Sequence, residues 1–208
     1  MSNYKTDQEH FWAGNFGDDY TTRNQGDDWV ASNVALFSKV LSHIAKIESL
    51  IEFGANQGLN LRAIRQLLPS VKLSAVEINK TAVSELNSLG YVNVNHTSIL
   101  NFSSRTEHDL SLIKGVLIHI DPDSLSQVYD ILYKSSKRYI CIAEYYNPSP
   151  VEIPYRGHSG KLFKRDFAGE MLDKFADLKL LDYGFAYHRD SLFPQDDITW
   201  FVLEKVRQ

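Results

Sequence analysis

The sequence predicts an α/β fold: a parallel, doubly wound sheet of seven strands with an antiparallel last strand. Apolar, strand-like runs alternate with helix-length segments from Ser49 to Glu144, the pattern that builds a parallel sheet with helices on both faces. The first run, Ser49-Leu50-Ile51-Glu52-Phe53, enters a glycine-bearing turn, Gly54-Ala55-Asn56-Gln57-Gly58, and the second, Ser74-Ala75-Val76-Glu77, ends on an acid. Two closing strands follow one another without a helix between them, which implies an antiparallel edge hairpin.

Residues 1–32 are polar, aromatic and turn-rich, with Phe11-Trp12-Ala13-Gly14-Asn15-Phe16-Gly17 followed by Tyr20 and Arg23. They read as a cap or lid segment ahead of a single domain at 33–208. Val34, Phe37, Val40, Leu41 and Ile44 recur at helical spacing and predict an amphipathic helix over 30–47 that packs on the sheet. Strand one is expected at 48–53, and the helix after it runs from Leu59 to Leu68, where Pro69 closes it. Strand two is expected at 72–77 and a helix at 80–88, with Gly90 turning the chain into strand three at 91–95.

Asp109 to Gly115 reads as strand four and is followed by the short apolar run Val116 to Ile120. Asp121-Pro122-Asp123 opens a helix to Ser135, with the proline suited to its first turn. Strand five spans 137–144. The stretch Tyr145 to Lys161, punctuated by Pro148, Pro150, Pro154, Gly157 and Gly160, is a loop of the length usually reserved for function. A helix over 165–175 and strands over 178–186 and 198–205 complete the chain.

With 208 residues, 43% hydrophobic and 12% aromatic, the chain can bury the core of one α/β domain. A net charge of -4 argues against a general nucleic-acid binder, whose phosphate contacts need clustered Lys and Arg. The single cysteine, Cys141, sits in the apolar run Tyr139 to Ala143 and reads as an inert, buried strand thiol. No apolar run approaches the roughly 20 residues that span a bilayer. A soluble, cytoplasmic protein is the expectation.

The turn after strand one discriminates between cofactors. A dinucleotide site wants G-x-G-x-x-G, with a helix N-terminus under the pyrophosphate. Here the pattern is Glu52-x-Gly54-x-Asn56-x-Gly58, with no third glycine at the dinucleotide spacing. It resembles motif I of the class I methyltransferases, with Asn56 in place of the middle glycine. Asparagine tolerates positive φ, so the replacement is mild. The implied cofactor is S-adenosyl-L-methionine, with Glu52, Gly54, Ala55, Asn56 and Gly58 about its methionine and ribose portions and Glu77 accepting both ribose hydroxyls. Ile78, Ser98 and Ile99 beyond strands two and three, Lys114 and Gly115 at the end of strand four, and Trp12 and Arg23 from the lid complete the expected contacts.

Further blocks extend the resemblance over nearly the whole chain. They are Lys114-Gly115-Val116-Leu117-Ile118-His119-Ile120, Ala143-Glu144-Tyr145-Tyr146-Asn147-Pro148, Tyr155-Arg156-Gly157-His158 through Phe163-Lys164-Arg165-Asp166-Phe167, Phe193-Pro194-Gln195-Asp196-Asp197 and Phe11-Trp12-Ala13-Gly14. Together they look like the methyltransferases associated with pseudaminic acid biosynthesis. That resemblance implies a Rossmann-like class I methyltransferase that methylates a nonulosonic acid, or a sugar derived from it, for a flagellar or surface glycan. O-methylation is the leading chemistry and N-methylation the second. A methyltransferase of another small molecule, of protein or of nucleic acid, and a non-catalytic cofactor-binding or NAD-dependent protein, are the competing readings.

A sugar hydroxyl is a poor nucleophile at pH 7 and needs a base or a metal. Three base candidates stand out: His119 after strand four, which could equally only pack near the cofactor, His158 in the proline-rich loop, and Glu144 at the end of strand five. Tyr145, Tyr146 and Asn147 are candidates to line the acceptor pocket, and Arg156, Lys161 and Arg165, with Lys164, form a basic cluster suited to an acidic sugar. No metal site is expected, since paired acids such as Asp18-Asp19 and Asp196-Asp197 are usually solvated.

Overall fold

The computed structural model describes residues 4–23, 26–103 and 106–206. The amino-terminal segment forms two short helices, α1 (Asp7–Ala13) and α2 (Asn15–Arg23). Thr6 and Glu9 start α1 with a reciprocal capping box: Glu9 N–H donates to Thr6 Oγ1 at 3.2 Å and Thr6 N–H donates to Glu9 Oε2 at 2.9 Å. The next helix, α3 (Asp27–Val40), begins earlier and ends earlier than its apolar spacing suggests. Asp27 and Asp28 complement the helix dipole at its start, while Leu41 and Ile44 keep helical spacing yet pack from a turn. The expected boundary at 32/33 therefore falls inside α3.

Next come β1 (Ser49–Phe53), α4 (Leu59–Leu67), β2 (Lys72–Glu77), α5 (Lys80–Ser88) and β3 (Val92–His96). Asn79 caps α5 by accepting from Ala82 N–H at 2.9 Å. Then follow β4 (His108–Lys114), 3₁₀ turns at Leu117–His119 and Pro122–Ser124, α6 (Leu125–Ser135) and β5 (Ser136–Glu144). The proline-rich stretch is partly ordered into a small hairpin of β6 (Val151–Glu152) and β7 (Phe163–Lys164), with a reverse turn at Tyr155–His158 in which Arg156 and Gly157 take φ of 49° and 85°. Last come α7 (Phe167–Lys174), β8 (Leu178–Ala186) and β9 (Ile198–Lys205).

The main sheet has the order β3-β2-β1-β4-β5-β9-β8, parallel through β5, with β9 antiparallel to β5 and β8. Because side chains alternate along each strand, Leu50, Leu112 and Cys141 join one core with α3 and α4, and Ile51, Ile113 and Ile142 join the other with α6 and α7. Cys141 is fully buried, and burial pushes its thiol up to about 12. The strand order reverses between β1 and β4, which opens a crevice at their carboxyl ends. No helix among the described residues is long and apolar enough to cross a membrane.

Candidate functional site

A cavity of about 200 Å3 lies in that crevice, between the carboxyl ends of β1, β2 and β4 and the covering helices α1 to α3. Its floor is the turn after β1. Gly54 (φ 70°) donates its N–H to Val76 O at 2.8 Å, which folds the turn back over β2. Asn56 occupies the left-handed region at φ 47°, as the substitution of asparagine for glycine requires. Glu77 is held by backbone donors, Asn56 N–H to Oε2 at 2.7 Å and Asn79 N–H to Oε1 at 2.8 Å, with a further backbone contact from Ile78. Burial raises its carboxyl and those backbone bonds oppose the rise.

Gly54, Ala55, Asn56, Glu77, Ile78, Ser98, Ile99, Lys114, Gly115 and Trp12 all line this cavity. Glu52, Gly58 and Arg23 do not. Glu52 is fully buried behind the floor, where Asn60 Nδ2 donates to its Oε1 at 2.6 Å and its Oε2 has no partner. Gly58 (φ 83°) starts α4, and a Cβ there would lie 2.8 Å from Leu86 Cδ2, so its glycine serves helix packing and not approach to a ligand. Arg23 is exposed, its guanidinium over the Phe16 ring at 5.6 Å.

The amino-terminal helices are fastened to the turns that line the cavity. Ser98 Oγ donates to Glu9 Oε1, and Lys5 Nζ donates to Leu100 O at 3.1 Å. Asn79 Nδ2 donates to Asp18 Oδ1 at 3.0 Å, Asn56 Nδ2 to Thr21 Oγ1 at 3.2 Å and Gln57 Nε2 to Thr21 O at 2.9 Å. Gly17 allows α2 to cross α1, since a Cβ would meet Trp12 O at 1.9 Å. Trp12 Nε1 is buried without a hydrogen-bond partner.

Of the three base candidates, His119 alone is on the cavity wall. It packs between Trp12 and Tyr155, at 4.7 and 4.8 Å between ring centroids, and Nδ1 donates to Lys161 O at 2.5 Å, which leaves Nε2 as the acceptor. Burial lowers its pKa to about 4, so it is neutral at pH 7 and a weak base. Glu144 lies outside the wall: Oε1 accepts from Val116 and Leu117 N–H, both at 2.9 Å, and fixes the turn after β4. His158 is exposed beside Phe11, also away from the cavity.

None of Tyr145, Tyr146, Asn147, Arg156, Lys161 or Arg165 lines the cavity. Arg165 pairs with Glu170 at 2.5 Å, and Glu170 also accepts from Tyr129 OH at 2.6 Å. Lys161 and Arg156 lie over the Phe11 and Tyr155 rings at 5.3 and 5.8 Å, and Lys164 over Tyr145 at 5.1 Å. Tyr146 is exposed against Phe201, and Asn147 Nδ2 donates to Ser149 O at 2.6 Å. The fold thus does not gather this basic cluster into the crevice.

The wall also carries Tyr20 of the amino-terminal segment, and Trp29, Asn33, Asn60, Asp121 and Asp196, five residues that the sequence reading did not assign to a site. Asn60 was within reach of inference, one residue into the helix that follows the glycine turn. Trp29, Asn33 and Asp196 come together only through tertiary packing and leave no local signal. Among the described residues no group of three or more His, Cys, Asp or Glu is placed to hold a metal.

No family profile matches the sequence, and no curated protein matches it. Solved structures do match its shape. Magnesium protoporphyrin IX methyltransferase (ChlM) from Synechocystis PCC 6803, with bound SAM, is 13% identical at TM-score 0.66, over 99% of this chain and 100% of that one. The fold is that of the class I methyltransferases. Burkholderia thailandensis 1,6-didemethyltoxoflavin-N1-methyltransferase, with its namesake ligand and S-adenosylhomocysteine, is 14% identical at TM-score 0.67, over 99% and 94%. The plantazolicin methyltransferase BpumL, with a pentazolic desmethylPZN analog and SAH, is 16% identical at TM-score 0.61, over 92% and 90%. At such identities the likeness speaks for the fold alone.

Proposed function

We propose that this chain is an S-adenosyl-L-methionine-dependent methyltransferase that O-methylates a small acidic sugar of the nonulosonic acid class. The observation that carries the cofactor half is the buried Glu77 carboxylate at the cavity edge. Its oxygens accept from Asn56 and Asn79 N–H, with a further backbone contact from Ile78, and the acceptor capacity that remains suits a vicinal diol. The partnerless Trp12 Nε1 in the same wall is a donor that a polar ligand would satisfy. The floor between Gly54 and Gly58 lacks the third glycine of a pyrophosphate cradle. When bound, S-adenosyl-L-methionine supplies a methyl group already activated on a sulfonium centre.

The chain's own residues then have three tasks. The turn after β1 and Glu77 orient the cofactor, the lid excludes water, and the wall at Lys114 and His119 meets the acceptor. His119 Nε2 orients a hydroxyl more than it deprotonates it, because a base of pKa about 4 takes little of the proton. The sugar half rests on the sequence resemblance. Incubation with methyl-labelled S-adenosyl-L-methionine and a panel of nonulosonic acids, neutral hexoses, peptides and oligonucleotides tests it. Label should enter the first group, and labelling of peptides or oligonucleotides alone would discard the sugar reading.

A further inference from the structure

We infer that the end of the cavity beneath α2 and α3 is an acceptor subsite for a hydroxyl-rich ring bearing a carboxylate, with the carboxylate at Lys114 and ring hydroxyls at Asp196. This rests on the methyltransferase reading above; it moves Lys114, expected from the sequence among the cofactor contacts, to the acceptor, and it assigns the acceptor to residues other than the surface basic cluster.

Lys114 is the one Lys or Arg in the wall among the described residues, and none of them hydrogen-bonds or ion-pairs with it. Burial lowers its pKa, and the charges of Glu52, Asp196 and Glu144 oppose that fall, as an anionic ligand would. Burial lifts Glu52 to about 8 and Glu144 to about 7, so near neutrality these two are poor counter-ions. An ammonium in a cavity wall without a fixed partner is stabilised by an anionic ligand. The acids at the other end differ: Glu9 and Glu77 are occupied by hydroxyl or backbone donors, and Asp121 caps a turn at Asp123 N–H, 3.0 Å away.

Asp196 reaches the wall through its neighbour. Gln195 is buried, and its Nε2 donates to Asn33 Oδ1 at 3.0 Å, which ties the β8–β9 connection to α3. That bond leaves the Asn33 amide N–H groups for a ligand, just as the bond to Glu52 leaves Asn60 Oδ1 as an acceptor. The Asp196 carboxylate itself takes part in no hydrogen bond or ion pair among the described residues. With Trp29 and Tyr20 as aromatic walls, the subsite combines flat apolar faces with a few convergent polar groups, the composition of a small-ligand site.

The test uses the full chain saturated with S-adenosylhomocysteine, titrated with N-acetylneuraminic acid and, separately, with its neutral methyl ester. The acid should bind at least tenfold more tightly than the ester, and Lys114→Met should bring that ratio close to one. Asp196→Asn, an exposed position that tolerates change, should weaken acid and ester alike. Equal binding of acid and ester to the unaltered chain, no binding of either, or a ratio that Arg156→Ala abolishes while Lys114→Met preserves it, overturns the inference. Failure of S-adenosylhomocysteine to bind at the first step would instead strike the methyltransferase reading itself.

Discussion

Gly54→Ala probes the turn on which the cavity depends, and the structure sets its magnitude. At φ 70° a residue with a side chain carries a left-handed penalty of about 1–2 kcal/mol. The new Cβ would lie 2.5 Å from Val116 Cγ2 and 3.0 Å from Cγ1, so Val116 must move, an overpacking cost of about 1–3 kcal/mol. The expected loss is about 2–5 kcal/mol. Val116→Ala removes both colliding methyl groups while leaving its Cβ at 3.4 Å, so the double variant should recover the overpacking part and leave the backbone part. Urea unfolding of the four members of this double-mutant cycle measures the coupling, expected at about 1–3 kcal/mol. A Gly54→Ala loss below about 0.5 kcal/mol, a value typical of uninvolved surface sites, refutes the reasoning. Additive effects would show that Val116 is not the obstacle.

Three further outcomes follow from the site. Glu77→Ala deletes the carboxylate that two backbone N–H groups and the proposed ribose share; each charge-assisted bond is worth roughly 1.5–3 kcal/mol, so S-adenosylhomocysteine should bind at least tenfold more weakly by calorimetry, and an unchanged affinity would reject that role. Burial raises Glu144 from 4.5 to about 7, so the folded chain keeps a proton that the unfolded chain releases, and stability present below pH 4.5 is lost as the pH rises through 7. Glu144→Gln keeps an acceptor for Val116 and Leu117 N–H, so relative to the unaltered chain it should gain up to about 3 kcal/mol at alkaline pH over its effect in acid; a pH-independent difference in urea unfolding contradicts this. Ser98→Ala strips Glu9 of its hydroxyl donor and should loosen α1, read as faster amide hydrogen exchange over 7–13; exchange as slow as before means that this contact does not hold the lid.

The order of strands and helices was legible because each step has a local cause. Pro69 ends a helix, Gly90 makes a turn, and the missing helix before 198 forces an antiparallel pair. The cavity floor was legible for the same reason, since Gly54 to Asn56 and Glu77 sit at strand ends that the βαβ rule brings together. Gly58 shows where local reading stops: its positive φ is local, but its place off the cavity wall and the closeness of Leu86, on another helix, to its missing Cβ are tertiary. Apolar spacing past Val40 mimicked a longer α3, because a turn can present the half-buried Leu41 and Ile44 at helical intervals. The wall formed by Trp29, Asn33, Lys114 and Asp196 was the least legible. Arg165 shows why, since a charge that looks available in sequence is tied to Glu170, five residues on, while Lys114 at a strand end has no fixed partner.

Calorimetric titration of the full chain with S-adenosylhomocysteine, S-adenosyl-L-methionine and NAD tests the central claim most directly. The account predicts saturable one-site binding of the first two and no binding of NAD, because the turn from Gly54 to Gly58 offers no pyrophosphate cradle. Binding of NAD in place of the two S-adenosyl compounds, or heat from none of them, would contradict it.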